Sequence, residues 1–295
     1  MQLTAAGAST MNSLRAIIFL IFPALSLLAQ QNLYRVTVVS RTTQAVNYGH
    51  RSLPTRIDFK GTVLLPEANG TATVKSEHGS TSIDSKFEHV DAPTRFGREY
   101  LTYVVWALTP EGRAENLGEL VLNPANKGRV RAATQLQAFA IIVTAEPHFA
   151  VTKPSPVVVM ENVLRPDTAG RVVPVTANYE FLPPKDYTYD VGSAARVPDT
   201  RKVSMAEYEA VLALYQAQNA IQIARSNEAA IHAAGPFGKA EELYRRAYQA
   251  YNQNREDKNV VTLAREATQS AGDANLIASK RREQQDQATA TAGIK

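Results

Sequence analysis

Five histidines are the side chains best suited to acid–base work near neutral pH: His50, His78, His89, His148 and His232. The chain has no cysteine, which excludes thiol nucleophiles, disulfides, Cys-ligated zinc and iron–sulfur clusters. His78 and His89 stand eleven residues apart across a predicted hairpin turn, with Glu77, Glu88 and Asp91 beside them. Imidazole with carboxylate is a donor set that suits zinc. Ligands on one regular element usually come as a pair spaced to share a face, and no two histidines stand at i, i+2 or i, i+4. The expectation is therefore exposed strand residues and no metal.

Other candidate chemistry is thinner. Gly235, Gly238 and Lys239 mimic part of a phosphate loop, but the spacing is wrong and no Ser or Thr follows the Lys. Their segment is expected to stop a helix. No Gly-x-Ser-x-Gly nucleophile elbow occurs. Glu241–Glu242 and Glu256–Asp257 fit helix ends and solvated faces. Trp106, with Tyr103 and Leu108 nearby, has the rings to stack a sugar, but a lone strand Trp is more often a core pin. Arg245–Arg246 and Lys280–Arg282 are short basic clusters, expected on a charged helix face and at a helix C-terminus. No catalytic, cofactor-binding or metal-binding residue is assigned, no cofactor is expected, and the chain is expected not to be an enzyme.

The elements that would position these residues divide the 295-residue chain in two. Fourteen of the 15 prolines precede residue 204, and residues 204–295 hold 21 alanines. Pro and β-branched residues disfavour helix interiors, whereas Ala is the best helix former. The reading is a β half followed by an α half. Residues 31–203 carry 20 Lys+Arg against 17 Asp+Glu, and residues 204–295 carry 11 of each. The small basic excess is scattered, so nucleic acid is not expected as a partner.

Residues 31–185 are expected to form an antiparallel immunoglobulin-like β-sandwich of nine to ten strands. The strands are placed at 34–40, 57–64, 71–77, 81–90, 101–108, 116–122, 129–134, 138–145, 157–162 and 175–182, with Asn69–Gly70 as a hairpin turn. Residues 186–203 are a linker. Residues 204–290 are expected to be an Ala-rich domain of three helices, a helical hairpin or bundle. Ser204 and Glu207 form a capping box, Ala234, Gly235 and Pro236 end the first helix, and 291–295 are a disordered tail. Ala210, Ala213, Ala217, Ala220 and Ala224 form one seam, and Leu263, Ala267, Ala271, Ala274 and Ala278 another.

Residues 1–30 read as an export signal. An apolar run from Ala16 to Leu28 follows Arg15, and Ser26 to Ala29 offers a cleavage site; the true start is Met1 or Met11. Retention of the run as an anchor is the alternative. Export without cysteine points to a bacterial periplasm.

The stretches Tyr100–Leu120 (YLTYVVWALTPEGRAENLGEL), Ala138–Pro147 (AFAIIVTAEP) and Pro156–Asn162 (PVVVMEN) resemble the β domain of exported Acidobacteria-type envelope proteins of the OmpA family. There this domain precedes an OmpA-like peptidoglycan-binding domain. Met205–Arg282 is similar to the Ala-rich helical domain of unknown function in the same proteins. The resemblance ends near Gln287, and the chain is expected to lack the OmpA-like domain, either as a truncated relative or as a form that does not grip peptidoglycan by that route. The resemblance implies a non-enzymatic periplasmic cell-envelope protein. It would be an interaction or scaffold module with a helical spacer or oligomerisation arm, associated with outer membrane or peptidoglycan. Expected partners are envelope proteins or peptidoglycan, and a second copy through the helical arm. The alternative is an extracytoplasmic sensor domain similar to anti-sigma-factor ectodomains; a third reading, an enzyme on the β domain, lacks a constellation.

Overall fold

The computed structural model describes residues 38–49, 53–77, 79–166, 168, 171–180 and 204–292. The expected signal (1–30), the start of the first strand, His50, His78, the end of the last expected strand (181–182), the whole linker (186–203) and residues 293–295 lie outside them.

Ten strands come first: β1 (Val38–Asn47), β2 (Thr55–Gly61), β3 (Asn69–Glu77), β4 (Ser80–Glu88), β5 (Thr102–Leu108), β6 (Ala114–Leu120), β7 (Gly128–Thr134), β8 (Ala138–Glu146), β9 (Val158–Val163) and β10 (Arg171–Glu180). Four helices follow: α1 (Met205–Ser226), α2 (Ala229–His232), α3 (Ala234–Gln253) and α4 (Lys258–Ala292). Every strand pair is antiparallel. The main path is β6-β5-β8-β9-β2-β3-β4-β7, and the Leu122–Gly128 bridge brings its two ends together, so the sheet curls nearly into a barrel. β1 pairs with β10 along its whole length and joins β8 only at Val46 and Asn47.

β5 is buried along its whole length, as its uninterrupted apolar run requires. Tyr103, Val105 and Ala107 enter the large core with Ile57, Phe59 and Phe87. Val104, Trp106 and Leu108 point the other way, into a second cluster with Ala140, Ile142 and Val151. Asn69 and Gly70 are not the turn. They pair with Lys60 and Phe59 inside β3, and the reversal is made at 62–68, closed by the Gly61 amide on the Ala68 carbonyl. Gly70 is there because a Cβ would lie 2.5 Å from the Lys86 carbonyl oxygen and 2.9 Å from the Phe87 ring.

The helical region has four helices rather than three. Ser204 caps α1 by accepting the Glu207 amide at 3.1 Å. α1 ends at Ser226 because the Ser226 hydroxyl turns back to the Ile223 carbonyl and Glu228 adopts a left-handed conformation, φ 60°. Gly235 and Pro236 begin α3 instead of ending its predecessor. A Pro in the first turn removes an N–H that has no helical partner, so the position is favourable. Ala210, Ala213, Ala217, Ala220 and Ala224 are all buried. They meet Ala264, Ala267, Ala271, Ala274 and Ala278 of α4 and Ala240 and Ala247 of α3 within two alanine-rich clusters. Leu263, expected in the α4 seam, flanks it, with Ala264 in its place. No helix among the described residues is long and apolar enough to cross a membrane.

Small side chains let the axes approach closely, which leaves no room for a larger one. Ala217→Leu is expected to lower stability by about 1–3 kcal/mol. A shift of the urea midpoint at constant slope would register it; an unchanged midpoint would show a looser seam.

Candidate functional site

The polar side chains with the greatest consequence converge where α1 and α4 rest on the β domain. The segment 146–150 leaves β8 and cannot satisfy its own backbone. The Phe149 amide donates to Gln216 Oε1 at 3.1 Å, and Asn219 Nδ2 donates to the carbonyls of Pro147 (3.2 Å) and Glu99 (3.3 Å). Gln216 and Asn219 stand one helical turn apart on α1, both buried. Gln216 Nε2 donates onward to Glu119 Oε1 at 2.8 Å. The Glu119 carboxylate also accepts from the Thr102 hydroxyl at 2.8 Å and from Arg265 of α4 at 2.6 Å. The Arg265 guanidinium lies 4.1 Å from the centre of the Phe149 ring. One carboxylate on β6 therefore ties β5, α1 and α4 together. Gly272 permits the approach of α4: a Cβ there would lie 2.8 Å from the Ala150 carbonyl oxygen.

Behind this contact lies a sealed chain of polar groups. Trp106 Nε1 donates to Thr144 Oγ1 at 2.8 Å, Thr144 donates to Glu146 Oε1 at 2.5 Å, and the Ser155 amide donates to the same oxygen at 2.7 Å. Glu146 Oε2 and His148 Nδ1 are buried without a hydrogen-bond partner. Burial pushes the Glu146 carboxyl up to about 8 against the Thr144 and Ser155 bonds that lower it. Burial pulls the His148 imidazole down to about 3. Both are uncharged in the folded protein near pH 6. Neither reaches solvent, so the pair has perturbed acidity without access to a substrate.

The other sequence candidates are dispersed. His89 takes a left-handed conformation, φ 56°, with Nδ1 3.1 Å from Asn69 Nδ2. Glu88 pairs with Lys127 at 3.0 Å and Asp91 with Arg95, while Glu77 ends β3 opposite Ser80. Among the described residues no group of three His, Cys, Asp or Glu side chains can hold a metal. His232 lies 3.5 Å from Glu228. Trp106 is fully buried in the second cluster, so no ring face is free to stack a sugar. Arg245 pairs with Glu242 in the same helix. Lys280–Arg282 do not sit at a helix C-terminus, since α4 continues ten residues beyond Arg282. Arg281 instead donates to the His232 carbonyl, and Arg282 to Asn227 Oδ1 at 3.2 Å, tying α4 to the α1–α2 break.

The hub of Glu119, Gln216 and Arg265 escapes the sequence reading, as does the Glu146–His148 pair. The available signal was Gln216 and Asn219 standing on the stripe between Leu212 and Ile223, where an exposed helix would have no reason to place amides among apolar neighbours. No family profile, curated protein or solved structure matches the chain.

Glu119→Ala strands the Gln216 amide, the Thr102 hydroxyl and Arg265, and is expected to cost about 2 kcal/mol or more. Hydrogen exchange at the Phe149 amide is expected to rise in step, and protection equal to wild type would contradict the hub. The buried pair sets a pH profile. Glu146 keeps its proton up to about 8 when folded, against 4.5 when unfolded, so its contribution is full below 4.5 and is lost as pH rises toward 8. His148 stays neutral down to about 3, against 6.5 unfolded, so its contribution is full above 6.5 and is lost as pH falls toward 3. Stability is expected to be flat between 4.5 and 6.5 and to fall on both sides. Glu146→Gln is expected to abolish the alkaline fall. Urea midpoints against pH check this; an alkaline fall of wild-type size in the variant would refute the assignment.

Proposed function

We propose that the chain is an exported, non-enzymatic cell-envelope protein of the OmpA-related type. In this reading it is an interaction module whose helical region serves as a spacer or oligomerisation arm, associated with outer membrane or peptidoglycan. The observation that carries the reading is the end of α4. After Arg282, the last residue tied to the rest of the fold, the helix runs on with residues 283–291 all exposed. Ten helical residues reach about 15 Å. The three- and four-residue spacing of Ala264, Ala267, Ala271, Ala274 and Ala278 continues through Arg281, Gln285, Ala288 and Ala292. A helix that keeps its seam spacing beyond its own bundle suits contact with a second copy.

The β domain is read as an immunoglobulin-like sandwich whose two layers meet at β8–β9. Support comes from that join, which has only three residue pairs and a register shift after Val143. Such a break lets a curled sheet fold into facing layers. The apolar run at Ala16–Leu28 supports export.

The absence of native cysteine makes the arm easy to test. Gln285→Cys, in phase with the seam, is expected to form a disulfide-linked dimer under mild oxidation, and Glu283→Cys, out of phase, much less. Truncation after Arg282 is expected to give a monomer by light scattering. In the native host, the exported protein is expected to begin near Gln30 and to sediment with peptidoglycan. A retained Met1 or Met11, or a monomeric full chain, would count against the proposal.

A further inference from the structure

Two apolar stripes run along α1. The alanine seam packs on α3 and α4. The second stripe follows Met205, Tyr208, Leu212, Gln216 and Asn219 at helical steps of three and four. Its C-terminal end docks on Pro147 and Phe149. Its N-terminal end borders an open groove instead. Met205 is 51% exposed and Tyr208 46%, and Val121, which lines the same groove from the β domain, is 56% exposed. Large apolar side chains gathered in water around one concavity mark a binding surface.

The groove encloses about 380 Å³, within the range of small-molecule sites. It adjoins a second cavity of about 210 Å³, and Glu119, Val121, Glu209 and Leu212 line both. The shared wall thus carries two carboxylates. Glu119 is committed to Arg265, Gln216 and Thr102. Glu209 is exposed and has no partner among the described residues. The joined space therefore holds two carboxylates against the single guanidinium of Arg265, with the uncompensated charge at the junction.

We propose that this groove binds an organic ligand with an apolar body and a positively charged amine head. The body lies among Val121, Met205, Tyr208 and Leu212, and the amine sits at Glu209. The charge of Glu209 selects the head, and the exposed apolar side chains supply affinity by leaving water. This site is independent of the envelope role and of the α4 arm.

Calorimetric titration of the full chain with decylammonium and decyl sulfate, each below its micelle concentration, separates tail from head. Decylammonium is expected to bind one to one, and decyl sulfate about tenfold more weakly or worse. Glu209→Gln is expected to bring the two within about twofold of each other. Val121→Asn, an exposed change that leaves the thermal transition in place, is expected to weaken decylammonium about tenfold. Equal binding of both amphiphiles to the wild type, a charge preference that survives in Glu209→Gln, or indifference to Val121→Asn would overturn the proposal. Binding of neither would also overturn it.

Discussion

Buried backbone that a strand end cannot satisfy by itself governs this molecule. As β8 gives way to the segment 146–150, the half-buried Phe149 amide and the buried Pro147 carbonyl leave the ladder. An unpaired group of this kind costs on the order of 1–3 kcal/mol. Gln216 and Asn219 of α1 complete them, and Glu119 and Arg265 complete Gln216 in turn. The helical region is therefore part of the hydrogen-bond inventory of the β domain. Glu146 and His148, in and beside the same segment, are buried, and their neutrality is the condition for sealing them.

β5 and β8 are buried on both faces, and Ala45, Val151 and Val158 cover their outer side from within the β domain. Trp106 fills the outer cluster and spends its single N–H on Thr144. On the other side, an alanine seam buries little area per residue, and helices joined only by it gain modest stability. Docking on the β domain adds a cation–π pair at Phe149 and the hub at Glu119.

Periodicity made much of the fold readable. The run Leu101–Leu108 announces a central strand because nothing in it faces water, and the alanines from Ala210 to Ala224 announce a close helix seam because they recur at helical spacing. Local turn chemistry misled where long-range pairing overrode it. Asn69–Gly70 suits a hairpin turn, yet Gly70 lies inside β3, paired with Phe59 and Phe87, whose ring centres are 4.9 Å apart, and Pro236 reads as a stop but opens α3. The junction was the least legible part. Glu119 and Arg265 are 146 residues apart, and no local pattern in either segment points to the other. Only the amides of Gln216 and Asn219, misplaced for a solvent face, hinted that α1 had a partner outside the bundle.

Through the Glu119–Gln216–Arg265 hub the helices and the β domain are expected to unfold as a single cooperative unit. Differential scanning calorimetry of residues 31–295 tests it most directly. A single transition with equal calorimetric and van't Hoff enthalpies is the predicted result. Two resolved transitions, one for each half and each insensitive to substitution at Glu119, would contradict it.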